Sequence, residues 1–135
     1  YRLSKIAKRY NIGVDALLFG EDAHMSSYFV TRCGKGKSTE KHRNYTYESL
    51  ATAFRGRKAD PFVVTIEPLE CDLRHNPNNY SGQEFDYVLE GTLEILIGNK
   101  ELILNPGDSI YFDAQQKHCM RALGGKPVKF LCVVI

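Results

Sequence analysis

Two segments of the chain carry the side chains with the clearest potential for chemistry, one carboxylate and one imidazole. Glu84 lies in the segment EFDYVLE and is separated by six residues from Gly91, and His118 begins the segment HCMRAL. Side chains of these two types that converge from neighbouring strands can hold a divalent ion at ~2.0–2.2 Å. They could instead bind a polar organic ligand, or form a buried hydrogen-bonded pair with a purely structural role.

A further metal ligand near Glu84 would have to come from His75, and eight residues lie between these two positions. With His75, the set of Glu84 and His118 would grow to two imidazoles and one carboxylate, which suits Zn, Fe(II), Mn or Ni. Without His75, one ligand of each type is too few to hold a divalent ion tightly. We therefore expect that no cofactor is required, with a divalent transition metal as the alternative.

Catalysis without a metal would need an activated nucleophile or a paired acid and base. Ser81 and Ser109 have no neighbouring His and Asp that could activate them, and GKGKST lacks the frame of a phosphate-binding loop. These observations predict no catalytic residue and a protein that is not an enzyme.

Composition favours a soluble globular protein of one domain with a small appendage. The chain has 135 residues, of which 43% are hydrophobic and 25% charged. No apolar run approaches the ~20 residues of a membrane helix, and the N-terminus lacks the apolar core of a signal peptide. None of the four cysteines has C-x-x-C spacing, which favours reduced thiols. We expect a cytoplasmic protein without a membrane partner.

Charge is distributed unevenly along the chain. Residues 1–60 contain twelve Lys and Arg against six Asp and Glu, whereas residues 61–135 contain six against ten. The basic first half indicates either a nucleic-acid partner or simply a solvated basic face.

The second half of the chain has the pattern of a β protein. Short apolar-polar runs are separated by turn signals such as Gly98-Asn99 and Pro106-Gly107, typical of an all-β sandwich or barrel. Between the two halves, CGKGKSTEKHRN is predicted to be an exposed loop, flanked by possible strands in YFVTR and TYESLATAF. The later runs are FVVTIE, EFDYVLE, TLEILIG, KELIL, SIYF, HCMRAL and KFLCVVI.

The spacing around Glu84 resembles the first motif of the cupin family, an HxH followed after three or four residues by Glu and after six more by Gly. The resemblance implies a fold that is mainly β, a double-stranded β-helix or jelly-roll barrel with an internal pocket. In metal-binding cupins the two histidines and the glutamate are ligands. Counting back from Glu84, the histidine positions fall on Pro77 and Asn79, or on Asn78 and Tyr80, and none of these is a histidine.

A later pattern resembles the second cupin motif: Gly107-x5-Asp113-x-Gln115-x2-His118. His118 takes the position of that motif's metal-binding histidine. Asp113 and Gln115 stand where the family motif has Pro and Gly. The resemblance covers about residues 61–135 and implies a pocket for a small-molecule effector. The residues expected to line that pocket are Glu84, His118, His75, Tyr87, Tyr111 and Met120.

The N-terminal segment LSKIAKRYNIGVDALLFG has the pattern of a short α-helical hairpin, with apolar residues on one face of each helix and glycines that end both. It resembles the last two helices of an XRE-type helix-turn-helix domain, whose base-reading helix would lie upstream of Tyr1. We therefore assign no DNA-contacting residue. The expected organisation is residues 1–20 as these C-terminal helices, 21–60 as linker and peripheral strands, and 61–135 as the cupin barrel.

Together, the two resemblances imply a DNA-binding transcriptional regulator that acts as a homodimer. Its cupin domain would bind a small-molecule effector, and the helix-turn-helix would bind DNA. The alternative is a metal-dependent cupin enzyme of the dioxygenase or isomerase type.

Overall fold

The computed structural model describes residues 27–42, 44–68 and 79–135. The predicted helical hairpin at residues 1–20 and the candidate ligand His75 lie outside these ranges. No helix within them is long and apolar enough to cross a membrane, and none of the three cysteines that they include forms a disulfide.

Contacts divide the chain into two compact units, and the described part of the first comprises residues 27–36 and 50–58. It consists of turns and bends, held locally by a hydrogen bond from the Thr31 hydroxyl to the carbonyl oxygen of Leu50 at 2.6 Å. The prediction of a strand in YFVTR is wrong, because this segment has no strand partner among the described residues.

The second unit contains all nine described strands and is a mainly β, cupin-like fold. A six-stranded sheet has the order β1-β2-β3-β9-β4-β7, and a three-stranded sheet has the order β6-β5-β8. The crossover that places β9 between β3 and β4, together with the passage of the chain from β4 in one sheet to β5 in the other, is typical of a jelly roll. The strands are β1 Lys37–His42, β2 Tyr45–Ser49, β3 Asp60–Ile66, β4 Gln83–Glu90, β5 Thr92–Ile97, β6 Lys100–Leu104, β7 Ser109–Asp113, β8 His118–Leu123 and β9 Val128–Val134.

Alternation along the strands selects which side chains enter the barrel. In β8, His118, Met120 and Ala122 are buried while their neighbours are only half-buried, as the two-residue period of a strand requires. Residues of both sheets, such as Phe130 and Ile95, meet in one apolar cluster. This cluster holds the two sheets face to face, and some of its members, such as Cys132 and Phe112, also contact buried polar side chains.

Strand β1 corrects one sequence-based prediction. Lys37–His42 was predicted to be part of an exposed loop, but it pairs antiparallel with β2, and β2 pairs with β3. Because β1 is an edge strand and its residues 37–40 are exposed, its composition is polar and its propensity signal is weak. Residues 37–49 therefore belong to the same compact unit as residues 59–135.

The predicted turns have the expected geometry. Gly98 and Asn99 join β5 to β6 as a two-residue hairpin, with Ile97 opposite Lys100. Gly107 has a φ of 92°, and the Asp108 amide donates to the Asn105 carbonyl at 2.8 Å, as in a type II turn.

Gly91 of the cupin motif marks a close approach between two turns. Its φ is +79°, and a Cβ built there would lie 2.4 Å from the carbonyl oxygen of Pro127. The turn between β4 and β5 thus lies against the backbone that leads into β9. A side chain at this position would have to displace backbone atoms, so the glycine is required by packing as well as by conformation.

We expect Gly91→Ala to lower the free energy of unfolding by about 3 kcal/mol, the sum of the left-handed conformation and the forced backbone shift. Gly124→Ala is the matched control, because Gly124 has a φ of +76° and nothing within 4 Å of an added Cβ. It should cost only about 1–2 kcal/mol. Urea denaturation of both variants measures the difference, and equal losses would contradict the close-approach explanation.

Candidate functional site

The barrel of the second unit contains a cavity of about 560 Å³ that is open to solvent. Its walls come from five strands of the larger sheet and from β8 of the smaller one. Both Glu84 and His118 face it, so the structure brings together the two side chains that the sequence singles out. The lining residues are Lys37, Thr39, Tyr45, Tyr47, Ser49, Asp60, Phe62, Val64, Asn79, Tyr80, Glu84, His118, Cys119, Met120, Phe130, Cys132 and Val134.

Tyr80, Glu84 and His118 form the polar end of this cavity. The hydroxyl of Tyr80 donates a hydrogen bond to Oε1 of Glu84. The ring of Tyr80 meets the ring of His118 edge to face, with centroids 5.8 Å apart. Glu84 and His118 are each only 5% exposed, so any molecule that reaches them is largely removed from water.

A backbone contact fixes the tautomer of His118. Its Nδ1 lies 2.8 Å from the carbonyl oxygen of Gln116, and because a carbonyl only accepts, Nδ1 must carry the proton. The ring is also held edge to face against Phe112, with centroids 4.9 Å apart. In the neutral imidazole, Nε2 is therefore the nitrogen that can accept a hydrogen bond or bind a metal.

Behind Glu84 lies a second group of buried polar side chains. Asp86 is two residues further along β4 and directly opposite Cys132 of β9, so all three side chains lie on the inner face. Their potential ligand atoms lie within 4.8 Å of one another. The Cys132 thiol donates to Oε2 of Glu84 at 3.4 Å, whereas neither oxygen of the fully buried Asp86 has a hydrogen-bond partner among the described residues.

Burial controls the protonation of this group. It raises the pKa of Asp86 well above the usual range of a carboxyl group, and the neighbouring Glu84 raises it further. Burial likewise raises the pKa of the Cys132 thiol and of the Tyr80 phenol, both of which keep their protons at neutral pH. Glu84 thus accepts from two protonated donors, one at each oxygen, which is the hydrogen-bonding pattern of a carboxylate.

The structure separates the predicted pocket residues into two sets. Met120 lines the cavity with Glu84 and His118. Tyr87 and Tyr111 are 40% and 57% exposed, and neither is among the lining residues. Both were predicted to line the pocket, but side chains alternate between the two faces of a strand. Tyr87 and Tyr111 occupy the outward-facing positions of β4 and β7.

Sequence reasoning did not single out several residues of the site. Asp86 could have been found from Glu84, because residues two apart in a strand share a face. Tyr80 stands at one of the motif's histidine positions, but its residue type gave no signal for a ligand. Cys132 comes from β9, which lies beside β4, and Tyr45 and Tyr47 come from β2, which is separated from β4 by β3 and β9; these placements are properties of the sheet order.

The family comparison agrees with this architecture. The family model described as "Cupin domain" matches residues 62–134, more than half of the chain. The chain belongs to the cupin family. The region matched runs from β3 to β9 and contains both motifs that the sequence shows.

Several solved structures share this fold. "Hydroxypropylphosphonic acid epoxidase from S. wedmorenis" has a TM-score of 0.67 and 23% identity, with 79% of this chain and 59% of that chain covered. A structure described as FeII HppE has a TM-score of 0.68 and 22% identity, covering 81% and 60%. CoII HppE in complex with substrate has a TM-score of 0.59 and 27% identity, covering 71% and 55%. This cupin chain therefore spans about three fifths of the length of these structures.

A curated sequence relative is the "Uncharacterized protein MJ1618" of Methanocaldococcus jannaschii. It is 32% identical over 54 residues, which are 40% of this cupin chain and 43% of the relative. The match supports a relationship between parts of the two chains and says nothing about what either binds.

We expect Asp86→Asn to change how stability depends on pH. Because the folded pKa of Asp86 is raised, its contribution is fully present below the ordinary pKa of about 3.9 and is lost as pH rises through the folded value. The wild-type free energy of unfolding should therefore fall, relative to the variant, by up to ~1.4 kcal/mol per pH unit above pH 5.

Urea denaturation between pH 5 and pH 8 measures this slope. Glu90→Gln, an exposed carboxyl on the same strand, is the control and should follow the wild type. Parallel curves for the wild type and Asp86→Asn would show that Asp86 is not held protonated.

Proposed function

We propose that the cavity binds a small polar molecule, which is contacted by Tyr80, Glu84 and His118. The observation that carries this proposal is the convergence of these three side chains on one cavity of about 560 Å³, a volume within the range of small-molecule sites. A barrel with a purely structural role would fill its interior with apolar side chains. Here the apolar cluster leaves a cavity that is lined by polar as well as apolar side chains.

The cupin family also implies metal chemistry, and the donor set of the described residues decides how well a metal fits. Glu84 offers a carboxylate and His118 offers Nε2, both common ligands of divalent ions. Tyr80 stands where the motif places a histidine, but its phenol is kept protonated by burial and donates to Glu84. The described residues therefore do not reproduce the three-ligand set, and the donor set favours binding of an organic molecule without a metal.

A metal-dependent cupin enzyme is the second candidate, and the comparisons favour it over the regulator. The similar solved structures include Fe(II) and Co(II) forms of HppE. The bond from His118 Nδ1 to the Gln116 carbonyl is also the kind of contact that orients metal-binding histidines. In this candidate the bound molecule is a substrate.

The regulator stays a prediction for the whole protein, with DNA and a second copy of the chain as its predicted partners. In that case the bound molecule is an effector. The comparisons support the cupin part of the prediction and give no support to the helix-turn-helix part.

Filling the cavity mouth tests the binding proposal. Thr39 lines the cavity and is exposed on the edge strand β1, whereas its neighbour Ser38 is not among the lining residues. We expect fragments from a polar library, screened by ligand-observed NMR, to bind the wild type and the control Ser38→Trp but not Thr39→Trp. Equal binding to all three proteins, or to none, would overturn the proposal.

Restoring the motif histidine tests the metal candidate. Tyr80→His would supply a second imidazole beside Glu84 and His118, so it should bind Zn(II) at least about tenfold more tightly than the wild type. Tyr80→Phe is the control and should show no gain. Equilibrium dialysis with metal analysis measures both. Stoichiometric metal in the wild type, lost in His118→Ala, would favour the enzyme candidate instead.

A further inference from the structure

We propose that the molecule bound in the cavity is a small organic ammonium ion, with its charged nitrogen beside Glu84 and its carbon skeleton against aromatic rings. This inference rests on the proposed function and names the chemical class of the ligand. Two features of the cavity support it. The buried carboxylate of Glu84 pairs with no cationic side chain among the described residues, and aromatic side chains line the cavity beside it.

The charge argument begins with the two donors to Glu84. Tyr80 and Cys132 each give one hydrogen bond to a different carboxylate oxygen, but both are neutral donors. No ion pair joins Glu84 to a lysine, arginine or histidine within the described residues. A carboxylate that is 5% exposed and lacks a cationic partner favours a ligand that supplies positive charge.

The other charged groups beside the cavity do not neutralise Glu84 among the described residues. Lys37 lines the cavity from the edge strand β1, four strands from β4 in the order of the sheet, and it makes no ion pair with Glu84. Arg121 lies next to the inward positions of β8 and pairs with Glu94 at 2.7 Å.

Asp86 lies behind Glu84 and is not among the residues that line the cavity. It is fully buried and lies within 4.8 Å of the ligand atoms of Glu84 and Cys132. A carboxyl group supplies no positive charge, so Asp86 cannot neutralise Glu84 and leaves that role to a ligand.

Aromatic rings form the wall beside this end. Tyr47 packs edge to face on Phe62, with centroids 5.6 Å apart, and stacks beside Tyr45 at 6.4 Å. These three rings, together with Tyr80 and Phe130, line the same cavity. Aromatic faces attract organic cations through the ring quadrupole, more strongly when both are removed from water. An anionic ligand would meet neither of these favourable interactions.

Three probes with one ring and different charges test the inference: cyclohexylammonium, cyclohexanol and cyclohexanecarboxylate, titrated at pH 7 and followed by protein NMR. We expect the ammonium probe to bind at least about tenfold more tightly than the alcohol, a difference of about 1.4 kcal/mol. The carboxylate should bind more weakly than either. Loss of binding in the Thr39→Trp variant shows that a probe binds in the cavity.

Two variant pairs identify the groups responsible. Glu84→Gln should abolish the preference for the ammonium probe, whereas Glu90→Gln, on the exposed side of the same strand, should keep it. Tyr47→Leu should weaken ammonium binding more than Tyr47→Phe, because only the latter keeps the aromatic face. The tyrosine pair decides the matter if Glu84→Gln does not fold.

The outcomes separate this inference from the proposed function. If the alcohol or the carboxylate binds as tightly as the ammonium probe and is excluded by Thr39→Trp, the ammonium inference fails and the binding proposal stands. If no probe binds while Zn(II) binds and is lost in Glu84→Gln, both fail and the metal-dependent enzyme is favoured.

Discussion

The removal of Glu84 from water is the constraint on which the site depends. A carboxylate in the interior of a barrel is costly unless donors surround it. Tyr80 and Cys132 supply two donors, and they come from the loop before β4 and from the neighbouring strand β9. The same burial raises the pKa of Tyr80, Cys132 and Asp86, so these three groups around Glu84 keep their protons. The chemistry of the cavity follows from that distribution of protons.

Local sequence patterns were sufficient to predict most strands of the barrel. Alternation, together with the turns at Gly98-Asn99 and Pro106-Gly107, predicted strands β3 to β9 and their hairpin. The motif spacing predicted that Glu84 and His118 would face one pocket, because both the glutamate and the histidine have fixed positions in the cupin frame. These features depend on residues close together in sequence, which is why they could be predicted.

Features that depend on the order of strands could not be predicted in the same way. Strand β1 is polar because it lies at an edge, and no local signal distinguishes it from a loop. Cys132 meets Asp86 only because β9 lies beside β4. Tyr111 has a residue type that suits a pocket, yet the parity of β7 turns it outward. His75 and residues 1–20 lie outside the described residues, so the predictions made for them stay predictions.

The sheet order has a consequence for how the site forms in time. β9 is inserted between β3 and β4, so the larger sheet is completed by a segment more than forty residues further along the chain. Contacts between such distant segments form slowly, because the chain entropy of closing the loop is lost before the pairing is gained. The hydrogen bond from Cys132 to Glu84 spans 48 residues of chain, so it can form only once β9 has paired with β4. The burial of the acidic end is therefore coupled to the long-range closure of the sheet and not to any local turn.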